Sequence, residues 1–235
     1  MKHKAALFWS GGKDSAFTLY HIQKFYPHLE VVYLVTTINE EYGRISMHGV
    51  REELLEIQAA GTGIPLYKMI VPNIPSNTVY ETVLNETFLN LKQEGVNHII
   101  YGDIFLEDLK QYRINLLKPH QLTAVFPLWK RDTTDLLKEF ISLGFKTITC
   151  CVNTACLPEK FIAKQIDAEF MNALPQTADV CGENGEFHTF CFAGPIFNKQ
   201  IDFSLGEKIY KPLVIEKETS TNETGFWYVD LIPES

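Results

Sequence analysis

Residues 8–15 read Phe-Trp-Ser-Gly-Gly-Lys-Asp-Ser, "FWSGGKDS". The apolar run Ala5-Ala6-Leu7-Phe8-Trp9 has the length and composition of a buried strand, and "SAFTLYHIQKF" (15–25) has those of a helix. The spacing therefore predicts a polar turn between a strand and a helix. At such a junction Gly11 and Gly12 let the backbone approach a ligand, and the free N–H groups of the helix start attract anions. Ser10 and Ser15 add hydroxyl donors and Lys13 a point charge, so the turn suits phosphate.

Working outward, 235 residues with an apolar fraction of 46% suffice for one large domain or two small ones with a real core. The N-terminal segment is too short in apolar residues for a signal-peptide core, and no stretch reaches membrane-spanning length. A cytoplasmic protein with no membrane partner is expected. Five cysteines (150, 151, 156, 181, 191) are odd in number and confined to the C-terminal half, which argues against a disulfide framework. The sequons at Asn85 and Asn222 then carry no weight. The net charge is −8, of which residues 131–235 contribute −7 and residues 1–130 only −1. Such a surface lowers the expectation of a nucleic-acid partner, whereas a small anion needs only a local site.

The first half alternates apolar β-branched runs ("EVVYLVTTI", "PLYKMIV", "NHIIYGDI") with helix patterns ("GVREELLEIQAAG", "SNTVYETVLNETFLNLKQEG"). This predicts an α/β domain with a parallel sheet covered on both faces. Ligands of such sheets bind beyond the carboxyl ends of the strands, where the Ser10–Ser15 turn, Thr36–Asn39 and Gly102-Asp103 all fall. The rhythm changes near "FPLWKRDTTDLL", where Asp132 or Thr133 can cap a helix. An antiparallel-looking pair, "EKIYKPLVIEKE" and "GFWYVDLI", joined through the polar "TSTNET", follows. The expected division is residues 1–130 as a nucleotide-binding α/β domain and 131–235 as a smaller α+β acceptor domain.

The turn is not a Walker A loop, because Lys13 is followed by Asp14, and no Gly-x-Gly-x-x-Gly is present. Ser10-Gly11-Gly12-Lys13-Asp14-Ser15 instead resembles the PP-loop of the ATP pyrophosphatases. That resemblance implies a HUP-like (adenine nucleotide alpha hydrolase-like) domain that cleaves ATP between its α and β phosphates, with Asp14 helping to hold Mg2+. Three further stretches, "HGVREELLEIQAAGTGIPL" (48–66), "YGDIFLEDLKQYR" (101–113) and "DVCGENGEFHTF" (179–190), resemble the diphthine–ammonia ligase family, the ATP-binding domain 4-like proteins. The resemblance implies that ATP adenylates a carboxylate, pyrophosphate leaves, and ammonia attacks the acyl-adenylate to give an amide. Adenylation converts a poor leaving group into a good one, and the protein mainly orients the carboxylate and neutralises departing charge. Members close to the diphthine ligases carry a "GEGGEYET"-like stretch, whereas residues 182–189 read "GENGEFHT". That wording resembles a bacterial branch, for which the implied acceptor is another small or protein-borne carboxylate, such as a corrinoid precursor; the resemblance also allows a homo-oligomer.

On this reading Lys13 and Asp14 join Asp103 and Glu107 as catalytic candidates, Asp103 also as a magnesium ligand. The plain alternatives are a helix cap for Asp103 and a favourable first-turn charge for Glu107. Thr37, His48 and Gly102 are expected beside the nucleotide, and Arg113 can hold a carboxylate or phosphate, though a solvated helix face suits it equally. Glu183, Asn184, Glu186 and His188 are expected to bind the acceptor, with Glu186 and His188 also moving a proton. Asn184-Gly185 is also a strong hairpin signal. Cys150, Cys151, Cys156 and Cys181 invite a metal or sulfur-transfer reading, but no Cys-x-x-Cys exists and "TITCCVNTAC" begins as a buried strand. The rival functions are a tRNA-modifying or tRNA-thiolating PP-loop enzyme, and a nucleotide-sensing module without turnover.

Overall fold

A computed structural model describes residues 2–45, 48–73, 75–213 and 224–234. The opening strand β1 (His3–Phe8) and helix α1 (Lys13–Phe25) flank the Ser10–Gly12 turn. There follow β2 (Leu29–Asn39), β3 (Arg44–Ile45), α2 (Glu52–Thr62), β4 (Leu66–Val71), α3 (Asn77–Gln93), β5 (His98–Ile100), α4 (Glu107–Leu117) and β6 (Thr123–Val125). Two of these strands escape sequence reading because they are only two and three residues long. Thr36–Asn39 lies inside β2 rather than after it.

Strands β4, β2, β1, β5 and β6 form a parallel sheet in that order, and the wholly parallel expectation is corrected at one point, because β3 runs antiparallel to the end of β2. The chain proceeds outward from β1 through β2 to β4, then restarts on the other side of β1 with β5. That reversal is a topological switch point, and it opens a crevice at the carboxyl ends of β1 and β5. The residues leaving those two strands are the Ser10–Ser15 turn and Tyr101-Gly102-Asp103.

Strand alternation sends Ala6, Val35 and Ile99 to one face, where Leu84, Phe88 and Leu91 of α3 cover them. Ala5, Leu7 and Leu34 face the other way, against Phe17 and Leu19 of α1 and Leu54 and Leu55 of α2. Beyond residue 130, α5 (Thr133–Ser142) is capped by Asp132, whose carboxylate accepts the Asp135 N–H at 2.9 Å. Strand β7 (Lys146–Asn153), helix α6 (Ala168–Ala173), and strands β8 (Phe187–Ala193), β9 (Phe203–Pro212) and β10 (Gly225–Pro233) complete the chain.

The second sheet is antiparallel in the order β8-β7-β10-β9. The expected C-terminal pair is present as β9 and β10, whereas residues 214–223, with Asn222 and nearly all of "TSTNET", lie outside the described residues. Phe140, Phe190 and Val229 from this half share one apolar cluster with Phe17 and Leu55 from the first. Cys150 and Cys151 are fully buried in β7, as small apolar residues are. Among the described residues no helix is long and apolar enough to cross a membrane.

Candidate functional site

The phosphate-suited turn is held from behind by the second half of the chain. Gln58, fully buried on α2, accepts the Trp9 indole N–H at 2.9 Å and donates to the carbonyls of Gly11 (2.9 Å) and Cys191 (2.7 Å). The Gly11 carbonyl also accepts the Cys191 N–H of β8 at 2.8 Å. With both donors on it, that carbonyl is committed to the core side. Gly11 has φ 74°, and a Cβ there would sit 2.5 Å from Gln58 Oε1. Gly12 caps α1 in an extended conformation, and a Cβ there would lie 2.9 Å from the Thr189 carbonyl oxygen and 3.1 Å from His48 Cε1. Gly11 is thus required by the close approach of α2 and Gly12 by that of β8, as well as by any ligand in front. Ser15 Oγ donates to the Gly12 carbonyl at 3.0 Å and stands 3.3 Å from Ser10 Oγ, which accepts the Gly12 N–H at 3.3 Å.

Lys13 is 2% exposed. Its N–H donates to Thr189 Oγ1 at 3.0 Å, and its Nζ lies 2.5 Å from Asp14 Oδ1 and 3.8 Å from Glu183 Oε1. Burial disfavours the ammonium, but Asp14, Cys181 and Glu183 together outweigh it and hold the lysine charged well above its ordinary range. Glu183 responds oppositely. Burial and the Asp14 carboxylate push it well above the carboxylate range, to about 8, despite Lys13. His48 and His188 lie with ring centroids 4.6 Å apart, and His48 Nδ1 is 3.1 Å from the Thr189 carbonyl oxygen. Burial lowers His48 to about 4, with Lys13 assisting; burial, His48 and Lys13 lower His188 to about 3. Both imidazoles are therefore neutral at pH 7.

Two adjoining clefts meet at Ser10, Asp14, His48, Glu183 and His188. The larger, about 660 Å³, runs over the carboxyl edge of the parallel sheet past Val35, Thr37, Tyr80 and Gly102 to Asp103 and Arg113. The smaller, about 430 Å³, includes Lys13, Leu106, Cys181, Asn184 and Thr189 in its wall. Asp103 does not cap α4, whose first-turn neighbour Leu106 occupies the cap position. Instead Arg113 Nη2 donates to Asp103 Oδ1 at 3.1 Å, Nε approaches Oδ2 at 2.7 Å off the N–H direction, and the guanidinium lies 4.3 Å from the Tyr101 ring centroid. Glu107 heads α4 on an exposed surface and lines neither cleft, which places it apart from the other candidates.

The loop entering β8 separates its two glutamates. Glu186 is 2% exposed, and its carboxylate accepts the Asp179 N–H at 2.8 Å, the Asn184 N–H at 2.9 Å and the Asn184 side-chain amide at 3.2 Å. It closes the loop on itself and is absent from the wall of either cleft, contrary to the expectation of a proton-moving group. Asp179 completes the closure, accepting the Cys181 N–H at 2.8 Å and the Thr133 hydroxyl at 2.7 Å. Glu183 is thereby aimed into both clefts. Asn184-Gly185 forms a turn in this loop, with the Gly185 N–H bonded to the Gly182 carbonyl at 3.1 Å; it is not a hairpin tip, because the partner of β8 is β7. Cys181 reaches the smaller cleft, but burial pushes its thiol up to about 12 and its Sγ donates to the Thr133 carbonyl at 3.3 Å.

Sequence reading missed Gln58, Asp179 and the backbone role of Thr189. The usable signal for Gln58 is a polar residue among the buried positions Leu54, Leu55 and Ala59 of an amphipathic helix. Among the described residues no group of three or more His, Cys, Asp or Glu side chains is close enough to cage a metal.

Comparison with known proteins gives a consistent result. Residues 3–117 match the diphthamide synthase N-terminal domain, and residues 132–220 match the diphthamide synthase C-terminal domain. A diphthine–ammonia ligase from Danio rerio is 27% identical over 223 residues, covering 85% of this chain and 86% of its own. The Homo sapiens diphthine–ammonia ligase is 26% identical over 221 residues, 84% of this chain and 82% of its own. One from Schizosaccharomyces pombe is 28% identical over 212 residues, 82% of this chain but 34% of its own. With both domain models matched in order, the chain is similar over most of its length to the diphthine–ammonia ligases.

Proposed function

We propose that the protein binds ATP over the carboxyl edge of its parallel sheet, transfers AMP to a carboxylate held in the smaller cleft, and forms an amide with ammonia. The observation that carries this reading is the shared wall: Asp14, Glu183, His48 and His188 border both the larger cleft, at the switch point beside the phosphate turn, and the smaller one. The adenylate would form where the clefts meet. Residues 1–130 then serve the nucleotide and 131–235 supply the acceptor wall.

Ser10, Gly11, Gly12 and Ser15 surround the pyrophosphate in this scheme, and Lys13 neutralises charge that develops on it. Thr37 and Gly102 border the rest of the nucleotide. Both carboxylates expected to hold magnesium are paired with a cation, Asp14 with Lys13 and Asp103 with Arg113, but Asp14 borders both clefts beside the phosphate turn and so suits a hard cation shared with phosphate oxygens. Bound there, Mg2+ would supply further charge neutralisation. The Asp103–Arg113 pair stacked on Tyr101 instead shapes the far end of the larger cleft.

Glu183 is the group placed to receive a proton as ammonium becomes the attacking amine, whereas His188, whose burial beside His48 and Lys13 makes it a weak base, borders the acceptor as a neutral ring. A carboxylate raised to about 8 is a stronger base than an ordinary glutamate once ionised, and its position beside Lys13 steadies that ionised form. Enclosure between the two halves limits hydrolysis of the adenylate by water. The acceptor is diphthine or another carboxylate, since the "GENGEFHT" wording departs from the "GEGGEYET"-like stretch of the diphthine ligases. Thiol chemistry of the tRNA-thiolating kind is disfavoured at Cys181, whose proton is held by burial.

The deciding measurement identifies nucleotide products in the presence of candidate carboxylates and ammonia, the candidates chosen by thermal shift with a non-hydrolysable ATP analogue. AMP and pyrophosphate are expected. ADP and phosphate would move the protein to another reaction class, and binding without turnover would favour a nucleotide sensor.

A further inference from the structure

The segment carrying His48 leaves β3 and enters α2, and both of its ends are gripped by one carboxylate on β10. Arg44 Nη1 and Arg51 Nε donate to Asp230 Oδ1 at 2.9 and 3.0 Å, and Arg51 Nη2 donates to Oδ2 at 2.7 Å. Arg44 Nη1 also donates to the Gly49 carbonyl at 2.8 Å, while the Ile45 N–H bonds to the Val50 carbonyl at 2.9 Å. Gly49, at φ 69°, lies flush on Tyr228, so that a Cβ there would be 2.9 Å from the Tyr228 Cδ1. The segment is thus pinned to β10 on one side, while on the other His48 meets Thr189, His188 and the Gly12 position.

Two guanidiniums brought side by side repel each other unless a shared anion lies between them. Asp230 supplies that anion. The hydrogen bonds from Arg51 and Arg44 hold its carboxyl down to about 2, so it is ionised throughout the working range. We propose that Asp230 is a positioning residue for the nucleotide site: by drawing Arg44 and Arg51 together it holds His48 against the phosphate turn. The inference rests on the reading that ATP binds at that turn, and it makes the C-terminal sheet a participant in nucleotide binding without contact to the nucleotide.

The test combines Asp230→Asn, His48→Ala and the double variant in the full-length protein, each checked for a cooperative melt. Without ligand, the His48 ring resonances are expected to shift in Asp230→Asn, while those of His120, which bonds to Asn85 at 2.8 Å, stay put. Affinity for a non-hydrolysable ATP analogue should fall roughly tenfold in either single variant, and the double variant should be no weaker than His48→Ala, because coupled residues are not additive. Asp230→Glu should recover part of the loss. Multiplying effects, or unmoved His48 resonances in a folded Asp230→Asn, would overturn the proposal. If Asp230→Asn does not fold, Arg51→Lys, which keeps the charge and loses the fork, is read in the same two ways. A wild-type protein that ignores the ATP analogue would sink the functional reading, yet the ligand-free resonances would still decide whether Asp230 places His48.

Discussion

The glycine turn at Ser10–Ser15 and the loop at Asp179–Glu186 border one cleft, yet the first is built from backbone and the second from carboxylates. In the turn, Gly11 lets α2 and Gly12 lets β8 approach, and the carbonyl of Gly11 is tied off by Gln58 and Cys191. In the loop, Glu186 accepts three N–H donors and Asp179 closes a turn, which together aim Glu183 into the cleft. Two glutamates three positions apart thus divide the work: one is satisfied and structural, the other desolvated and poised. Shape makes the first wall, and unbalanced charge makes the second.

The contrast is broken most severely at Gly12. Gly12→Val should weaken ATP-analogue binding by roughly a thousandfold, the scale of losing two charge-assisted hydrogen bonds, because the new side chain meets the Thr189 carbonyl and forces the turn off β8. Calorimetric titration measures it, and near-normal affinity in a folded variant would show that the turn is not the phosphate site.

Next in size is Glu183→Gln, which should lower amide formation by about a hundredfold while leaving nucleotide affinity nearly unchanged. The same change should raise stability at pH 8. The folded-state pKa of Glu183 is raised, so the folded protein binds more protons than the unfolded chain between about 4.5 and 8, and stability declines as pH rises through that window. Removing the group removes the decline. Denaturant melts at pH 5 and pH 8 for both proteins give the comparison, and parallel slopes would refute it.

Glu186→Gln sharpens the contrast from the other side. It should cost about 1–3 kcal/mol of stability, since a neutral amide cannot accept all three N–H donors, with nucleotide affinity retained. A full loss of amide formation in a variant of unchanged stability would restore Glu186 to the chemistry and reverse the assignment of the two glutamates.

The smallest effect concerns the histidine pair that touches both walls. Folded-state pKa values lowered to about 4 and 3 mean that stability from keeping His48 and His188 neutral is complete above about 6.5 and is lost as pH falls toward 4 for His48 and toward 3 for His188. Replacing His188 with Gln should make the melts shallower in pH across that window. An unaltered slope would show that the ring carries its proton in the native state.

The turn was legible because its meaning is local: six residues at a strand-to-helix junction specify glycine, hydroxyl and charge together. The major strands and helices were legible by periodicity, whereas β3 and β6 are too short to carry any. That the Glu186 carboxylate turns into its own loop is not legible, because sequence cannot show which way a carboxylate points in an irregular loop. The partners of Gln58, Asp103 and Asp230 lie far along the chain or around a bend, as with Asp230 and Arg44, 186 residues apart. Glu107 illustrates the converse: its neighbours Leu106 and Leu109 border the clefts, while Glu107 itself is exposed and lines neither.

The apolar cluster that joins Phe17 and Leu55 to Phe140, Phe190 and Val229 gives the two halves one shared core. A C-terminal half taken from a distant relative would bring its own aliphatic surface to α1 and α2, and small volume mismatches there are felt because interiors are close-packed. Exchange of acceptor specificity between relatives should therefore succeed by grafting the short Gly182–Gly185 turn and fail by swapping everything after residue 130. Chimeras of the two kinds, compared for yield of cooperatively folding protein, would map where this architecture tolerates recombination.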